Sequence, residues 1–219
     1  MEFQQRKRKE ELMKKGVLAA VLLLILALTQ KNIDIEDRNY ALILGMDEKQ
    51  SGQWQATYSF ADLSKVAQTK GKGAESVSAI YRGANHEEIE EQYERKQDKE
   101  LEYGHLKVLI LGQELVKDEG QYDNFLKELR RRDEYSRNIL VFCAQEEASA
   151  IVKLDETING LLSDRLKRLE EQHIPTKTVT LKTVLRGYWE GEEVQVPVLK
   201  DSRGVPEFVG YQTLPMRQK

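Results

Sequence analysis

The sequence holds one cysteine, Cys143, along with three histidines and four prolines. A single thiol excludes an internal disulfide framework and any metal site built from several cysteines. The histidines, His86, His105 and His173, fall on separate predicted elements without His-x-x-x-His or Cys/His spacing, so no ligand set converges. No Gly-x-Ser-x-Gly elbow, P-loop or Gly-x-Gly-x-x-Gly turn occurs, and Gly71-Lys72-Gly73 is a loop signal, not a phosphate cradle. A basic stripe is also missing. The first fifteen residues carry six Lys or Arg and three Glu, whereas the remainder sets 28 basic against 34 acidic residues, about −6 net. Nucleic-acid binding rests on phosphate neutralisation, so this acidic body argues against it. Internal repeats and low-complexity tracts are absent too.

What is present is a globular composition. The chain has 219 residues, 40% hydrophobic and 32% charged, enough to bury a working core. At the N-terminus Arg6, Lys7, Arg8, Lys9, Lys14 and Lys15 precede an unbroken apolar run over residues 16–28. Cations followed by a Leu-rich run form the first two regions of an export signal, and the charge bias puts the basic end in the cytoplasm. Thirteen apolar residues rise only about 20 Å as a helix against about 30 Å of hydrocarbon. Spanning length is reached by adding Leu12 and Met13, with Lys14 and Lys15 snorkelling and Thr29 tolerated. An uncleaved anchor is therefore expected over residues 16–30, behind a basic cytoplasmic region at 1–15. A cleaved signal competes with it, although Leu26-Ala27-Leu28-Thr29-Gln30 is a poor cleavage site. A buried core helix fits less well with such lopsided flanking charge.

Beyond the run, residues 40–47 and 54–60 read as strands of a hairpin turning near Ser51-Gly52, with Trp54, Ala56, Tyr58 and Phe60 on one face. Residues 63–73 read as a mobile loop and residues 77–82 as a third strand. A charged helix over 86–95 offers Ile89 and Tyr93 as its apolar pair. The strongest strand, 106–111, is closed by Gly112; a helix over 118–132 follows, with Tyr122, Phe125, Leu126 and Leu129 at helical spacing. Another buried-type strand at 139–143 leads to helices at 146–153, 158–171 and 179–186, the last with Gly187 as its stop. Two strands near 194–199 and 206–211 end the chain. This order predicts an α+β fold, a mixed β-sheet flanked by helices.

Three features invite a chemical reading. A thiol inside the 139–143 strand reads as core; its alternative, a nucleophile paired with a distant histidine, requires exposure. His105, at a strand start, reads as structural. Arg130, Arg131 and Arg132 sit at a helix C-terminus, where cations complement the dipole; the sharper reading is contact with anionic lipid headgroups or an acidic partner. No catalytic, cofactor-binding or metal-binding residue is assigned, and no cofactor is implied.

Glu102-Tyr103-Gly104-His105-Leu106-Lys107-Val108-Leu109-Ile110-Leu111-Gly112-Gln113-Glu114-Leu115 resembles the signature of the Ger(x)C family, the C subunits of spore germinant receptors. The pattern is an aromatic-Gly-His, a basic residue, an aliphatic strand and Gly-x-Glu-Leu. In order along the chain, Asp34 with Glu36 and Asp37, the strand ending Gly45-Met46-Asp47, the helix reaching Arg132-Asp133-Glu134, Arg137-Asn138, Val196-Pro197-Val198-Leu199 and Val209-Gly210-Tyr211 are similar to further family segments. The resemblance runs over residues 33 to 214. It implies an N-terminal α/β domain at 31–155, then a helical segment and the start of a second, truncated β-containing domain at 156–219. It further implies a non-enzymatic, extracytoplasmic accessory subunit of a nutrient germinant receptor, working with polytopic membrane subunits and membrane lipid at the spore inner membrane. Family members carry a lipid-modified cysteine after the apolar run; Thr29-Gln30-Lys31 stands there in this chain, so the helix itself is expected to anchor it. The alternative is a stand-alone, membrane-anchored sensor or solute-binding module.

Overall fold

A computed structural model describes residues 37–49, 52–61, 76–158, 160–174 and 178–217, together with Met13, Lys15 and Val17. Residues 1–35 form one unit, in which those three residues are helical and exposed. Among the described residues no helix is long and apolar enough to cross a membrane. The expected anchor at 16–30 lies outside them apart from Val17, as does the loop at 63–73.

Residues 36–219 form the second unit, built on a mixed sheet. Its strands are β1 (Arg38–Lys49), β2 (Gln53–Ala61), β3 (Ser76–Gly83), β4 (Glu100–Glu102), β5 (Val108–Leu111), β6 (Leu140–Ala144), β7 (Gln195–Asp201) and β8 (Pro206–Thr213). The spatial order is β3-β2-β1-β5-β6-β7-β8, with β4 beside the start of β1. The hairpin β1–β2 is antiparallel, as its turn predicts, while β1, β5, β6 and β7 run parallel. Parallel pairing needs crossovers. These are supplied by α1 (His86–Glu94), α2 (Gln113–Lys117), α3 (Glu119–Arg131), α4 (Ala148–Val152), α5 (Leu162–His173) and α6 (Leu181–Glu190). β7 and β8 extend the same sheet, since Cys143 and Ala144 register with Val198 and Leu199. No sheet edge lies between the strands of 31–155 and those of 156–219.

Helices cover both faces, which is why β1 and β5 read as continuous apolar runs. Leu109 and Leu111 face a core made with Ile89, Tyr93, Phe125, Leu129 and Val184, whereas Val108 and Ile110 face one made with Val152, Leu162 and Leu166. A bulge at Ala41/Ile43 puts Leu42 and Ile43 both toward the second core before alternation resumes at Leu44. The polar side of β2 is buried as well. Gln55 accepts from Arg82 Nε at 2.9 Å, and Ser59 donates to Asp155. Asp155 also accepts from Leu162 N at 2.6 Å, tying β2 to the start of α5.

Local signals set most helix starts. Asn85, Asp118 and Thr180 accept from the amides of Glu88, Gln121 and Thr183 as N-caps of α1, α3 and α6. Gly187 does not stop α6. The helix continues to Glu190 and ends at Gly191, whose φ of 73° is the left-handed conformation a C-cap needs. Gly187 instead lets Val194 approach, because a Cβ there would overlap its methyl group. The 106–111 strand starts later than its sequence predicts, at Val108. Leu106 is taken up in a turn, its N–H donating to Tyr103 O at 2.9 Å.

Candidate functional site

The signature segment Tyr103–Lys107 crosses from β4 into β5, and its side chains diverge. Tyr103 turns inward to a buried polar network. His105 stays exposed, edge-on to Tyr40 with ring centroids 4.9 Å apart. Leu106 is buried, and Lys107 donates to Asp164 on α5 at 2.9 Å.

The network joins β2, α1, the β4–β5 turn and the segment after α3. Tyr135 Oη lies 2.6 Å and Tyr103 Oη 3.2 Å from His86 Nε2, and Tyr58 Oη lies 3.1 Å from Tyr103 Oη. Tyr103 donates to Glu90 Oε1 at 2.9 Å. Arg132 holds Glu90 with two nitrogens, at 2.7 and 2.9 Å, and reaches Glu134 at 2.9 Å. The His86 amide, at the start of α1, donates to Glu128 at 3.1 Å. Burial, reinforced by the Arg132 charge, pushes His86 down to about 3 against a small opposing effect of Glu134, so the ring is neutral near pH 7. Burial likewise raises the hydroxyls of Tyr58, Tyr103 and Tyr135. Neutral hydroxyls, a neutral imidazole and a compensated Arg–Glu pair form a bonded scaffold and present no activated nucleophile. The network's open side is a groove of about 600 Å³ bordered by Tyr103, Glu90, Arg132 and Glu134.

A second concavity lies at the carboxyl ends of the parallel strands. From β1 the chain turns back into β2, while from β5 it leaves toward β6, so the two connections diverge there. Such switch points are where open parallel sheets admit ligands. The cleft, about 920 Å³, is lined by Glu48, Lys49, Glu114, Lys117, Asp118 and Glu147 among others. Lys49 donates to Glu147 at 2.5 Å and Lys117 to Glu114 at 2.9 Å. Burial, with Asp118 and Glu114 nearby, raises Glu48. Behind the cleft Asp47 is buried and accepts from the amides of Ala148 and Ser149 at 2.6 and 2.9 Å, capping α4 from a neighbouring strand. Gly45 admits α4 closely, since a Cβ would stand 2.7 Å from Val152 Cγ2; Gly112 leaves room for the Asp47 carboxylate. The Gly45-Met46-Asp47 and Gly112 positions are thus architectural.

Of the residues weighed from sequence, Cys143 is fully buried in β6 and its thiol is pushed up to about 12 by burial. A nucleophile needs the thiolate, so this position is core. Arg130 lies over Trp189, 4.8 Å from the ring centroid, Arg131 is exposed, and Arg132 is committed to Glu90 and Glu134. The three therefore do not act as one patch. The His173 side chain lies outside the described residues. Among those residues no three His, Cys, Asp or Glu side chains are placed to hold a metal ion. The His86 network was not legible in sequence; its one signal was Asn85 capping a helix that begins on a histidine.

Residues 31–200 match the family model described as "Spore germination protein N-terminal domain". A solved structure, "Crystal Structure of the GerBC protein", is similar at 18% identity with a TM-score of 0.38, over 78% of this chain and 47% of that one. This chain thus spans about half the length of that solved relative. No curated protein matches.

Proposed function

The chain belongs to the spore germination protein N-terminal domain family, and on that premise we propose that it is a non-enzymatic accessory subunit of a nutrient germinant receptor complex. The match over residues 31–200 carries this reading. The basic N-terminus and apolar run support a membrane anchor with the body outside the cytoplasm, at the spore inner membrane. Polytopic membrane subunits are the partners, with lipid around the anchor. The body's role is to assemble or support the complex: the side chains around His86 bond chiefly to one another, through His86 Nε2, Tyr103, Tyr135, Glu90 and Arg132. Deleting the gene should impair nutrient-triggered germination and leave vegetative growth unchanged. Normal germination of the deletion strain, in a background without a paralogue, would overturn the reading. N-terminal sequencing of the membrane fraction tests the anchor, because a mature start near Lys31 removes it. A second reading, a membrane-anchored solute-binding or sensor module, draws on the cleft at the strand carboxyl ends. A deletion strain with normal germination but a lost response to one solute would favour it.

A further inference from the structure

Between α5 and the β7–β8 hairpin lies an open cavity of about 540 Å³. Leu162 and Leu166 bury one face of α5 in the core, and the neighbouring face carries Arg165, Arg168 and Leu169 into the cavity wall. The opposite wall is the hairpin, which contributes Pro206 and Phe208 from the start of β8. Its turn is held in shape by the Gly204 N–H donating to Asp201 Oδ1 at 2.7 Å and the Ser202 N–H to Val205 O at 2.8 Å. Val205, at the mouth, is 39% exposed.

The two arginines have no acceptor inside the protein. The nearby carboxylates of α5 are taken, Asp164 by Lys107 at 2.9 Å and Glu171 by Lys167 at 3.9 Å. Glu207 stands on the rim, in register with Lys200 across the hairpin. Among the described residues neither Arg165 nor Arg168 has a hydrogen bond or an ion pair, although Arg165 is partly buried. A guanidinium drawn partly out of water beside apolar side chains keeps its donors only partly satisfied. Two planar donor forks one turn apart match an anion with several oxygens, and phosphate fits them better than a single carboxylate. The floor of Leu169, Pro206 and Phe208 asks for an apolar group on the same molecule. Inorganic phosphate would leave that floor wet, and an alcohol would leave the arginines unmatched.

We propose that this cavity binds a phosphate ester carrying an apolar chain. Arg165 and Arg168 donate to the phosphate oxygens, and Leu169, Pro206 and Phe208 cover the chain. A lipid headgroup and a soluble phosphate ester both have this chemistry. The site is independent of the complex in which the protein works.

The test is an amide NMR titration of the full-length chain in non-ionic detergent with butyl phosphate, alongside butanol and inorganic phosphate. Butyl phosphate should give saturable shifts over residues 165–172 and 202–208 and bind about tenfold more tightly than either control. Arg165→Gln and Arg168→Gln should each weaken it about threefold to tenfold, and the pair together more. Equal binding of butanol or of inorganic phosphate would overturn the proposal, because one half of the recognition would be missing. Undiminished binding by the double variant, or no shifts with butyl phosphate, would overturn it as well. Nanodiscs of phosphatidylcholine with and without phosphatidylglycerol separate the sources. Shifts at the same residues on adding phosphatidylglycerol assign the site to a lipid headgroup, whereas butyl phosphate binding without them assigns it to a soluble ester.

Discussion

Lowering the pH tests the buried network through His86. The ring is 1% exposed and surrounded by Tyr103, Tyr135, Glu90, Arg132 and Glu134, with Glu128 on its amide. Its folded value of about 3 lies below the ordinary 6.5. Between those values the unfolded chain binds a proton that the folded chain refuses. The stability linked to His86 is therefore fully present above pH 6.5 and is lost as the pH falls toward 3. Each pH unit below 6.5 costs roughly 1.4 kcal/mol, so pH 5 costs about 2 kcal/mol relative to pH 8. Carboxylates elsewhere titrate over the same range, so the comparison needs His86→Phe. That variant leaves Tyr135 Oη without its partner on the ring and is less stable than wild type by about 1–3 kcal/mol at pH 8. It lacks the histidine linkage, so the gap to wild type narrows by about 2 kcal/mol at pH 5. Urea unfolding, followed through Trp54, which is buried and donates to Gln121 at 2.9 Å, reads both values. A gap that stays constant between pH 8 and pH 5 would mean that folded His86 titrates normally, and the network as described would be wrong.

Further expectations concern the packing. Gly112→Ala drives a Cβ into the Asp47 carboxylate and costs about 2–3 kcal/mol, much as Asp47→Ala does. In a double-mutant cycle the two losses overlap, and strict additivity would refute the shared cause. Gly191→Ala costs about 1 kcal/mol for its positive φ, whereas Gly187→Ala costs more because Val194 must move. The reverse order of melting temperatures would restore Gly187 as the helix stop. Leu109→Asp puts an unpaired carboxylate, at a cost of several kcal/mol, into a strand position 2% exposed. The far-ultraviolet spectrum should show an unfolded chain, and a folded, soluble variant would mean that β5 is not central.

Elements with strong periodicity or long apolar runs were legible before any coordinates. The hairpin β1–β2, helix α3 with Tyr122, Phe125, Leu126 and Leu129, and strand β6 stand where their patterns put them. Two short elements were not. β4 is Glu100–Glu102, three residues that pair in parallel with Arg38–Tyr40, and α2 is five residues long. Segments that short carry no usable period and exist because neighbours hold them. Gly187 was misread for a related reason. A glycine near a helix end signals a cap in sequence, but close packing against Val194 is a tertiary demand the same residue meets.

The buried polar chemistry divides along the same line. The sequence by itself determined the secondary-structure order, the apolar faces, the lack of a cysteine or histidine ligand pattern and the segment that resembles a known family, because these depend on residue type and spacing along the chain. Only the tertiary structure decided that Tyr58, His86, Tyr103 and Tyr135 share one network and that Asp47 caps a helix about a hundred positions away. It also decided that Lys107, in the signature segment, pairs with Asp164 on α5. Hydrogen bonds and ion pairs act over a few ångströms, and which distant residues come that close is set by sheet order and helix crossings, which residue spacing does not encode.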